Sequence, residues 1–353
     1  MAESPLDLPT MIGQALLSSY DILLVDLYGV IWSGVHLFPA ALDALAKLMA
    51  RDKKIVILSN MSLVSKMVTK EFESKGLLAG MHFTDFVTSG NAFHDILVNH
   101  KLRLKTVKNP KKYFVYGTEN NAAFSGTDFE KTSNLDEADF VYISLVQFSD
   151  DEYDKMPDAM KKHLYVAHVN DNGRLWESTA VEPFVPALKC FLDKGKPVVI
   201  ANPDKIALCA VLENPDSEEY VPKPMVKQGL LAKTYENMGG EVFAIGKPYP
   251  QIYRHALENL AATMGISLED ICKKHIAMVG DSLETDIWGA KNASDDLGCS
   301  IDSILVLSGI SARDITKAHG EVSSETMGEF FSKEKLTPTH VMSALDTQAN
   351  VYF

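Results

Sequence analysis

With 353 residues, of which 46% are hydrophobic and 23% charged, the chain has the composition of an ordinary globular protein long enough for two domains. Its net charge of −13 argues against nucleic acid as a partner, since DNA and RNA require a basic surface. No stretch reaches the roughly 20 apolar residues of a membrane-spanning helix, and the four widely spaced cysteines predict reduced thiols in a cytoplasmic protein.

Short apolar strands alternate with amphipathic helices from the start of the chain. The first predicted elements are, in order, a strand at 21–25, a helix at 39–53, a strand at 54–60 and a helix at 65–77. The alternation returns near the C-terminus, where the predicted elements cover 241–250, 251–265, 275–293 and 303–310. Strand–helix–strand order predicts a parallel sheet with right-handed crossovers. The expected fold class is therefore α/β, with a doubly wound parallel-sheet (Rossmann-like) core.

The middle of the chain carries a second alternating series. Its predicted strands and helices cover 112–117, 138–145, 186–204 and 229–240. Because this segment is long enough to bury a core of its own, we expect a large inserted α/β domain at 85–242 and a discontinuous core domain made of 1–84 and 243–353. Within the insertion, the acidic and proline-rich stretch 211–228 predicts a surface loop.

Polar residues follow the predicted core strands at the point where each strand ends. They are Asp26, Ser59, Lys247 and Asp281. Because the carboxyl ends of parallel strands meet at one edge of a sheet, we expect these side chains to converge. Two carboxylates suit Mg²⁺, a lysine and a serine hydroxyl suit phosphoryl oxygens, and an aspartate can act as a nucleophile. The set predicts phosphoryl-transfer chemistry.

Most of these residues also have a structural alternative when taken singly. Ser59 and Asp281 fit helix N-caps, and Lys247 fits a solvated loop lysine. Asp26 is the hardest to explain in this way, because a carboxylate that ends a buried strand is costly without partners. The occurrence of all four in this order favours the functional interpretation.

Four segments resemble the motifs of the haloacid dehalogenase-like superfamily. In chain order they read DLYGVIWSG, VILSN, GKPYPQIY and GDSLETDIWGA. The insertion, with TSGNA, ANPDK and YENMGGEVFAIGKP, is similar to subclass IIA, the group of nucleotide and sugar phosphatases of the NagD and phosphoglycolate/p-nitrophenyl phosphatase type. The resemblance runs from about residue 20 to 310. It implies that the inserted domain is a cap that closes over the active site and selects the substrate.

The resemblance implies a metal site formed by the first and last motifs. Asp26 would be the nucleophile and also a ligand of Mg²⁺. The backbone carbonyl of Tyr28 and the carboxylate of Asp281 would complete the protein's share of the ligands. Asp286 would support this shell or a metal-bound water.

The second and third motifs would bind the substrate. By the same resemblance, Ser59 and Asn60 would hold the phosphoryl group that is transferred. Lys247 would balance the charge between the nucleophile and the phosphate.

Tyr28 departs from the phosphatase pattern, in which this position is the aspartate that acts as general acid and base. A tyrosine, with an ordinary pKa of about 10, accepts no proton readily near neutrality, so a factor of ~10²–10⁴ in rate is at risk. His36 is a candidate substitute base, with simple exposure in a loop as its structural alternative. Dehalogenases of the superfamily also carry D-x-Y-G and need no metal, but the intact GDSLETD motif argues against that chemistry.

The function expected from the sequence is a Mg²⁺-dependent phosphohydrolase that forms an aspartyl-phosphate and favours good leaving groups. Two alternatives stay open: a catalytically weak or silent member that binds a phosphorylated ligand or partner, and, more remotely, a metal-independent dehalogenase. The expected partner is a small phosphorylated substrate, with no nucleic acid and no membrane. The oligomeric state is open, and a homodimer through the cap is compatible with the subclass.

Overall fold

The computed structural model describes residues 11–117, 122–144, 181–212 and 220–352. These residues form two compact units. The first unit contains the described residues up to Ser59, the segment Lys66–Val87 and the described residues from Lys247 onward. The second contains Asn60–Ser65 and the described part of Thr88–Gly246. The domain boundaries expected after residues 84 and 242 stay a prediction.

Strands and helices alternate through both units. The described strands are β1 (Met11–Ile12), β2 (Ile22–Val25), β3 (Lys54–Ser59), β4 (Asp85–Thr88), β5 (Lys112–Tyr116), β6 (Glu130–Lys131), β7 (Phe140–Ile143), β8 (Val198–Ile200), β9 (Ile206–Leu212), β10 (Tyr220–Val226), β11 (Val242–Ala244), β12 (Ile276–Gly280), β13 (Ile301–Val306), β14 (His340–Met342) and β15 (Asn350–Val351). The described α-helices are α1 (Gly13–Ser19), α2 (Pro39–Met49), α3 (Ser65–Ser74), α4 (Ser89–Val98), α5 (Val185–Asp193), α6 (Gln228–Asn237), α7 (Pro250–Met264), α8 (Leu268–Cys272), α9 (Trp288–Leu297), α10 (Ile310–His319) and α11 (Ser324–Glu334). Short 3₁₀ turns cover Ala122–Phe124 and Glu182–Phe184, and a π-helical turn covers Leu283–Ile287.

The first unit is built on an eight-stranded sheet with the strand order β1-β15-β14-β13-β12-β2-β3-β4. Its strands from β14 to β3 run parallel, while β15 is antiparallel to both of its neighbours. The central strands β2, β3 and β12 are buried almost throughout, as expected for a parallel sheet covered on both faces, which explains their continuous apolar sequences. The predicted α/β class with a parallel core sheet is confirmed.

The strand register brings the polar residues of the first unit to one edge of this sheet. Val25, the last residue of β2, lies opposite Val279 of β12. Asp26 follows directly and donates its backbone N–H to the carbonyl of Val279 (2.9 Å). Ser59 ends the neighbouring strand β3, and Asp281 follows β12. All three therefore lie at the carboxyl edge, where ligands of parallel sheets bind.

Helices of the first unit begin and end at residues suited to those positions. Pro39 and Pro250 occupy the first helical positions of α2 and α7, where a missing N–H costs nothing. Gly265 ends α7 in the left-handed conformation (φ 67°), which glycine adopts without strain. Ser323 caps α11, and Thr326 completes a reciprocal capping box with it.

The second unit contains a five-stranded parallel sheet with the order β11-β8-β7-β5-β6. Side chains of β7 alternate between its two faces. Val141 and Ile143 join an apolar cluster with residues of α5 and α6. Tyr142 lies on the opposite face, where its ring stacks on Phe93 of α4 with centroids 5.5 Å apart. This unit therefore has an apolar core of its own.

The loop prediction for 211–228 is wrong where that stretch overlaps β9 and β10. These strands pair as an antiparallel two-stranded sheet, with Tyr220 opposite Leu212. Pro222 and Pro224 are two residues apart, so the positions that lack an N–H fall on the same side of β10. A two-stranded sheet leaves one side of each strand without a neighbour, and prolines are tolerated there. Residues 213–219 of the predicted loop lie outside the described residues.

The segment after residue 310, for which the alternation made no prediction, extends the first unit. Helices α10 and α11 precede β14, and β15 turns back to pair with β1 at the N-terminal end of the described chain. Leu283, Ile287, Ile315 and Phe331 share an apolar cluster, so these helices pack against the turn that follows β12. None of the described helices is both long and apolar enough to span a membrane.

Candidate active site

Asp26 and Lys247 form a buried ion pair at the carboxyl edge of the core sheet. The Lys247 ammonium lies 2.5 Å from Asp26 Oδ1. Lys247 is 2% exposed and Asp26 8%, so this lysine is not a solvated loop residue. Burying two charges is costly unless they are paired, and each of these residues supplies the charge that the other needs.

Asp286 is the second partner of this lysine. Its Oδ1 lies 2.8 Å from Lys247 Nζ, and its Oδ2 accepts a hydrogen bond from the backbone N–H of Ser282 (3.1 Å). The π-helical turn after β12 returns the chain so that Asp286 comes back against Gly280. A Cβ atom at position 280 would lie 2.1 Å from Asp286 Cγ, so glycine is required for this close approach.

Asp281 is packed between two glycines. Its Oδ2 accepts a hydrogen bond from the backbone N–H of Ile310 (2.6 Å). A Cβ atom would lie 2.1 Å from this oxygen at Gly29, which has a φ of +77°, and 1.9 Å from it at Gly309. Ser282, not Asp281, provides the N-cap of the following turn. The N-cap alternative for Asp281 is therefore wrong, and its carboxylate is held in place by backbone on two sides.

The three carboxylates lie close together. Ligand oxygens of Asp26, Asp281 and Asp286 all fall within 4.8 Å of one another, and all three residues are buried. Burial raises the pKa of Asp281 well above its ordinary value, and the charges of Asp26 and Asp286 raise it further. Burial, followed by the charges of Asp286 and Asp26, also raises the pKa of Tyr253 well above its usual range. With one lysine facing three carboxylates, the cluster has an excess of negative charge that a divalent cation would neutralise.

The donor set fits Mg²⁺. Carboxylate oxygens are the ligands that this hard cation prefers, and a few protein oxygens with water and phosphate complete its shell. Asp281 presents a carboxylate fixed by Ile310 and its flanking glycines, and Asp26 lies with its ligand oxygen within 4.8 Å of those of Asp281 and Asp286. Asp286 is committed to Lys247 and Ser282, which suits the predicted supporting role.

Tyr28 lies in the turn that follows β2 and is partly buried. Two backbone hydrogen bonds close this turn. The N–H of Gly29 donates to the carbonyl of Trp32 (2.8 Å), and the N–H of Trp32 donates to the carbonyl of Leu27 (2.8 Å). The Ser308 hydroxyl donates to the carbonyl of Gly29 (2.6 Å) and ties this turn to the one after β13. The expected metal contact through the Tyr28 carbonyl stays a prediction.

Ser59 and Asn60 belong to different units. Ser59 is 2% exposed at the end of β3 in the first unit. It does not cap a helix, because α3 begins only at Ser65. Asn60 belongs to the second unit, where its carboxamide donates to Asp204 Oδ1 (2.7 Å) and accepts from the Ser89 hydroxyl (3.2 Å). The phosphoryl-binding roles of Ser59 and Asn60 stay predictions.

His36 is exposed, in keeping with its structural alternative. Its ring packs edge-to-face on Phe38 with centroids 5.8 Å apart. The role of substitute base stays a prediction.

Sequence reasoning missed the residues that hold the carboxylates in place. Gly29 and Gly309 make room for Asp281, and Gly280 makes room for Asp286. The available signal was that Gly280 directly precedes a motif aspartate and that Gly29 follows one by three residues, but the contact of Gly309 depends on tertiary structure. The partners of Asn60, which are Ser89 and Asp204, gave no local signal at all.

Two family models match the chain. A model described as haloacid dehalogenase-like hydrolase matches residues 23–127, and a second, described as HAD-hydrolase-like, matches residues 244–329. Together they span more than half of the chain. Phosphoglycolate phosphatase 1A of the chloroplast of Arabidopsis thaliana is 26% identical over 304 residues, which are 84% of this chain and 71% of that protein.

Solved structures of phosphatases share the fold. A p-nitrophenyl phosphatase from Archaeoglobus fulgidus superimposes with a TM-score of 0.56 at 20% identity, over 94% of this chain and 98% of the other. A glycerol phosphate phosphatase from Mycobacterium tuberculosis, in complex with magnesium, superimposes with a TM-score of 0.54 at 20% identity, over 94% of this chain and 77% of the other. At these identities the likeness concerns the fold.

Proposed function

Because the chain belongs to the haloacid dehalogenase-like hydrolases, we propose that it is a hydrolase of small phosphate monoesters with Asp26 as its nucleophile. The observation that carries this proposal is the buried cluster of Asp26, Lys247, Asp281 and Asp286. A cluster with more carboxylates than cations is expensive to bury and serves no purpose in packing. The phosphatase activities of the relatives support the same reaction class.

Asp26, Asp281 and the Tyr28 carbonyl would hold Mg²⁺, with Asp286 keeping Lys247 in place. When bound, the ion would neutralise negative charge that develops on the phosphoryl oxygens. The magnesium complex of the glycerol phosphate phosphatase supports this choice of metal. Carboxylate oxygen also binds Ca²⁺, and that relative has been crystallised with calcium as well.

The proposed reaction has two displacements at phosphorus. In the first, a carboxylate oxygen of Asp26 forms a bond to phosphorus, the bond from phosphorus to the ester oxygen breaks, and the leaving alkoxide or phenolate takes up a proton from solvent. In the second, water attacks the phosphorus of the aspartyl-phosphate and loses a proton to solvent, the bond from phosphorus to the Asp26 oxygen breaks, and inorganic phosphate and free Asp26 are released. Lys247, at 2.5 Å from Asp26 Oδ1, holds the nucleophile and would offset the repulsion between its negative charge and that of the incoming phosphoryl group. The Ser59 hydroxyl would donate to a phosphoryl oxygen.

Tyr28 shapes the substrate range in this scheme. It stands where the phosphatase pattern has the residue that protonates the leaving oxygen, and a phenol is a weak acid for that purpose. Aryl and acyl phosphates need little protonation, whereas alkyl phosphates need much more. We therefore infer a preference for esters with good leaving groups, with the second unit as the cap that selects among them.

The direct test is the hydrolysis of p-nitrophenyl phosphate by the full chain with and without added Mg²⁺. The proposal predicts turnover that requires the metal and is lost in the Asp26→Asn variant, which keeps the size of the side chain but lacks the nucleophilic carboxylate. Hydrolysis by Asp26→Asn at the wild-type rate would contradict it. Turnover that persists unchanged after chelation of metal would contradict the metal assignment.

Tyr28 also favours a second candidate, a silent member that binds phosphorylated molecules without turning them over. Calorimetry with inorganic phosphate separates the two. Binding of phosphate without hydrolysis of either aryl or alkyl esters would establish the second candidate in place of the first.

A further inference from the structure

Asn60 is the centre of a buried polar cluster in the second unit. Its residues are Asn60, Ser89, Asp204 and Gly246, all of which belong to that unit. The carboxamide of Asn60 donates to Asp204 Oδ1 (2.7 Å) and accepts from the Ser89 hydroxyl (3.2 Å). Asn60 is 3% exposed and Ser89 is fully buried. One of these hydrogen bonds uses the amide nitrogen and the other the amide oxygen, so together they favour one orientation of the Asn60 carboxamide.

Gly246 lies directly against this carboxamide. A Cβ atom at position 246 would lie 2.7 Å from Asn60 Oδ1, 2.4 Å from Ser89 Oγ and 2.6 Å from Pro203 Cδ. Its φ of +124° is also a conformation that side chains rarely adopt. The backbone at Gly246 and the side chain of Asn60 are therefore in contact within the same cluster.

The rest of the short segment Asn60–Ser65 is fixed by the start of α4. The hydroxyl of Thr88 donates to the carbonyl of Leu63 (2.6 Å), and the N–H of Gly90 donates to the carbonyl of Met61 (3.1 Å). The N–H of Ser65 donates to the side-chain oxygen of Asn91 (2.5 Å). This segment is thus held at its start, middle and end by partners in the second unit.

The cluster is one peptide bond away from two residues of the proposed active site. Ser59 directly precedes Asn60, and Lys247 directly follows Gly246. Consecutive Cα atoms are about 3.8 Å apart, so a displacement of Asn60 or Gly246 acts on its neighbour through a single peptide link. The cluster therefore adjoins, along the chain, both the proposed phosphoryl-binding serine and the lysine paired with Asp26.

We propose that Asp204 and Ser89 are positioning residues, which act through Asn60 to place Ser59 and Lys247 for catalysis. The proposal rests on the proposed hydrolase function, since it assigns a purpose to residues that touch no substrate. Asp204 contributes more than Ser89 to holding Asn60. Its carboxylate makes a charge-assisted hydrogen bond with the carboxamide, which is stronger than a bond between neutral groups.

The experiment compares Asp204→Ala with Asp204→Asn in the full chain. Asp204→Ala removes the acceptor for Asn60, whereas Asp204→Asn keeps an oxygen that can accept the same hydrogen bond. A displacement of 1 Å in catalytic groups can cost ~10²-fold in rate. We expect kcat for p-nitrophenyl phosphate to fall by ~10-fold or more in Asp204→Ala, with a smaller change in KM, and to stay within a few-fold of wild type in Asp204→Asn.

Asp139→Ala is the matched control. Asp139 is also an aspartate of the second unit, and its Oδ2 accepts hydrogen bonds from the backbone N–H groups of Lys111 (2.7 Å) and Lys112 (2.8 Å). Its loss should lower the midpoint of thermal unfolding without changing kcat at a temperature where the protein is folded. A fall in kcat as large as that of Asp204→Ala would show that any loss of structure in this unit slows catalysis, and would overturn the proposal.

A double-mutant cycle with Asn60→Ala tests whether Asp204 acts through Asn60. If it does, Asp204→Ala should cause no further loss of kcat in a chain that already carries Asn60→Ala. Additive losses of kcat would overturn the proposed route, and wild-type kcat in Asp204→Ala would overturn the proposal itself.

Hydrogen exchange of backbone amides distinguishes a failure of the positioning proposal from a failure of the proposed hydrolase function. We expect the amides of 59–63 to exchange faster in Asp204→Ala than in Asp204→Asn, whether or not the chain hydrolyses the ester. If the wild-type chain is inactive, the proposed function fails, and unchanged exchange in Asp204→Ala would then show that Asp204 does not hold this segment either.

Discussion

Replacing Gly280 with alanine tests the packing that holds Asp286 in place. A Cβ atom there would lie 2.1 Å from Asp286 Cγ and 2.3 Å from Asp286 Oδ2, where real Cβ atoms do not approach below 3.0 Å. One of the two residues must therefore move by about 1 Å, since packed interiors have no spare volume. Gly280 ends β12, which pairs on both sides in the middle of the sheet, so Asp286 is the residue expected to move.

The displacement of Asp286 should separate it from Lys247, which lies at 2.8 Å. Overpacking of a core typically lowers the free energy of unfolding by ~1–3 kcal/mol. A 1 Å displacement of a group that orients the catalytic lysine is expected to reduce kcat for p-nitrophenyl phosphate by ~10²-fold. Urea unfolding followed by circular dichroism and steady-state kinetics measure the two effects.

The control for Gly280→Ala is Gly328→Ala. A Cβ atom at Gly328, in helix α11, meets nothing within 4 Å, so this change should leave kcat unaltered and raise stability by roughly 0.5–1 kcal/mol through helix propensity. The steric cost of Gly280→Ala should largely disappear in a chain that also carries Asp286→Gly, because the clashing carboxylate and the Asp286 Cβ atom, which lies 2.2 Å from the new Cβ, are then both absent. Wild-type kcat and stability in Gly280→Ala, or an undiminished cost with Asp286→Gly, would refute the reasoning.

Three further predictions concern Tyr28, His82 and Ser323. Tyr28→Asp should raise kcat/KM for an alkyl phosphate by ~10²-fold and for p-nitrophenyl phosphate much less, because only the alkyl leaving group needs an acid; equal gains on both esters, measured by phosphate release, would contradict the role given to Tyr28. Burial lowers the pKa of His82, whose Nδ1 accepts a hydrogen bond from the N–H of Leu78 (2.9 Å). As the pH falls, the unfolded chain therefore binds a proton at His82 at a higher pH than the folded chain does. Stability should therefore be fully present above the unfolded pKa of about 6.5 and fall as the pH drops below it, and His82→Asn should show a shallower fall in the urea midpoint; identical slopes for the two proteins would rule this out. Ser323→Ala removes the side chain that accepts from the Thr326 N–H at the start of α11, and should lower the free energy of unfolding by ~1 kcal/mol without changing kcat, whereas Ser323→Asp should keep most of it; a Ser323→Ala chain as stable as wild type would show that the cap contributes nothing.

Local pattern predicted the core strands and the residues at their ends. β2, β3 and β12 are apolar runs that end in a polar residue or are followed directly by one. Of the residues predicted in this way, Asp26, Lys247 and Asp281 do come together at the sheet edge, and Asp286, which only the family resemblance indicated, joins them. This succeeded because a buried parallel strand leaves an unbroken apolar sequence, and because parallel strands expose their carboxyl ends together.

Other features depend on contacts that no local pattern reveals. The hairpin of β9 and β10 contains Pro222 and Pro224, which argue for a loop unless the prolines fall on the unpaired side of an edge strand. The bond between Asn60 and Asp204 joins residues 144 positions apart in the chain. Gly309 looks like an ordinary turn residue in the sequence, and its contact with Asp281 appears only when β12 and β13 lie side by side.

Trapping the phosphorylated enzyme tests the central claim most directly. The full chain would be mixed with p-nitrophenyl phosphate and Mg²⁺, quenched in acid during turnover, digested, and mapped by mass spectrometry. A phosphoryl group on the Asp26 side chain, absent from an Asp26→Asn sample treated in the same way, is the predicted result. Turnover of the ester by the wild-type chain with no phosphoryl group on Asp26, or with the group on another residue, would contradict Asp26 as the nucleophile.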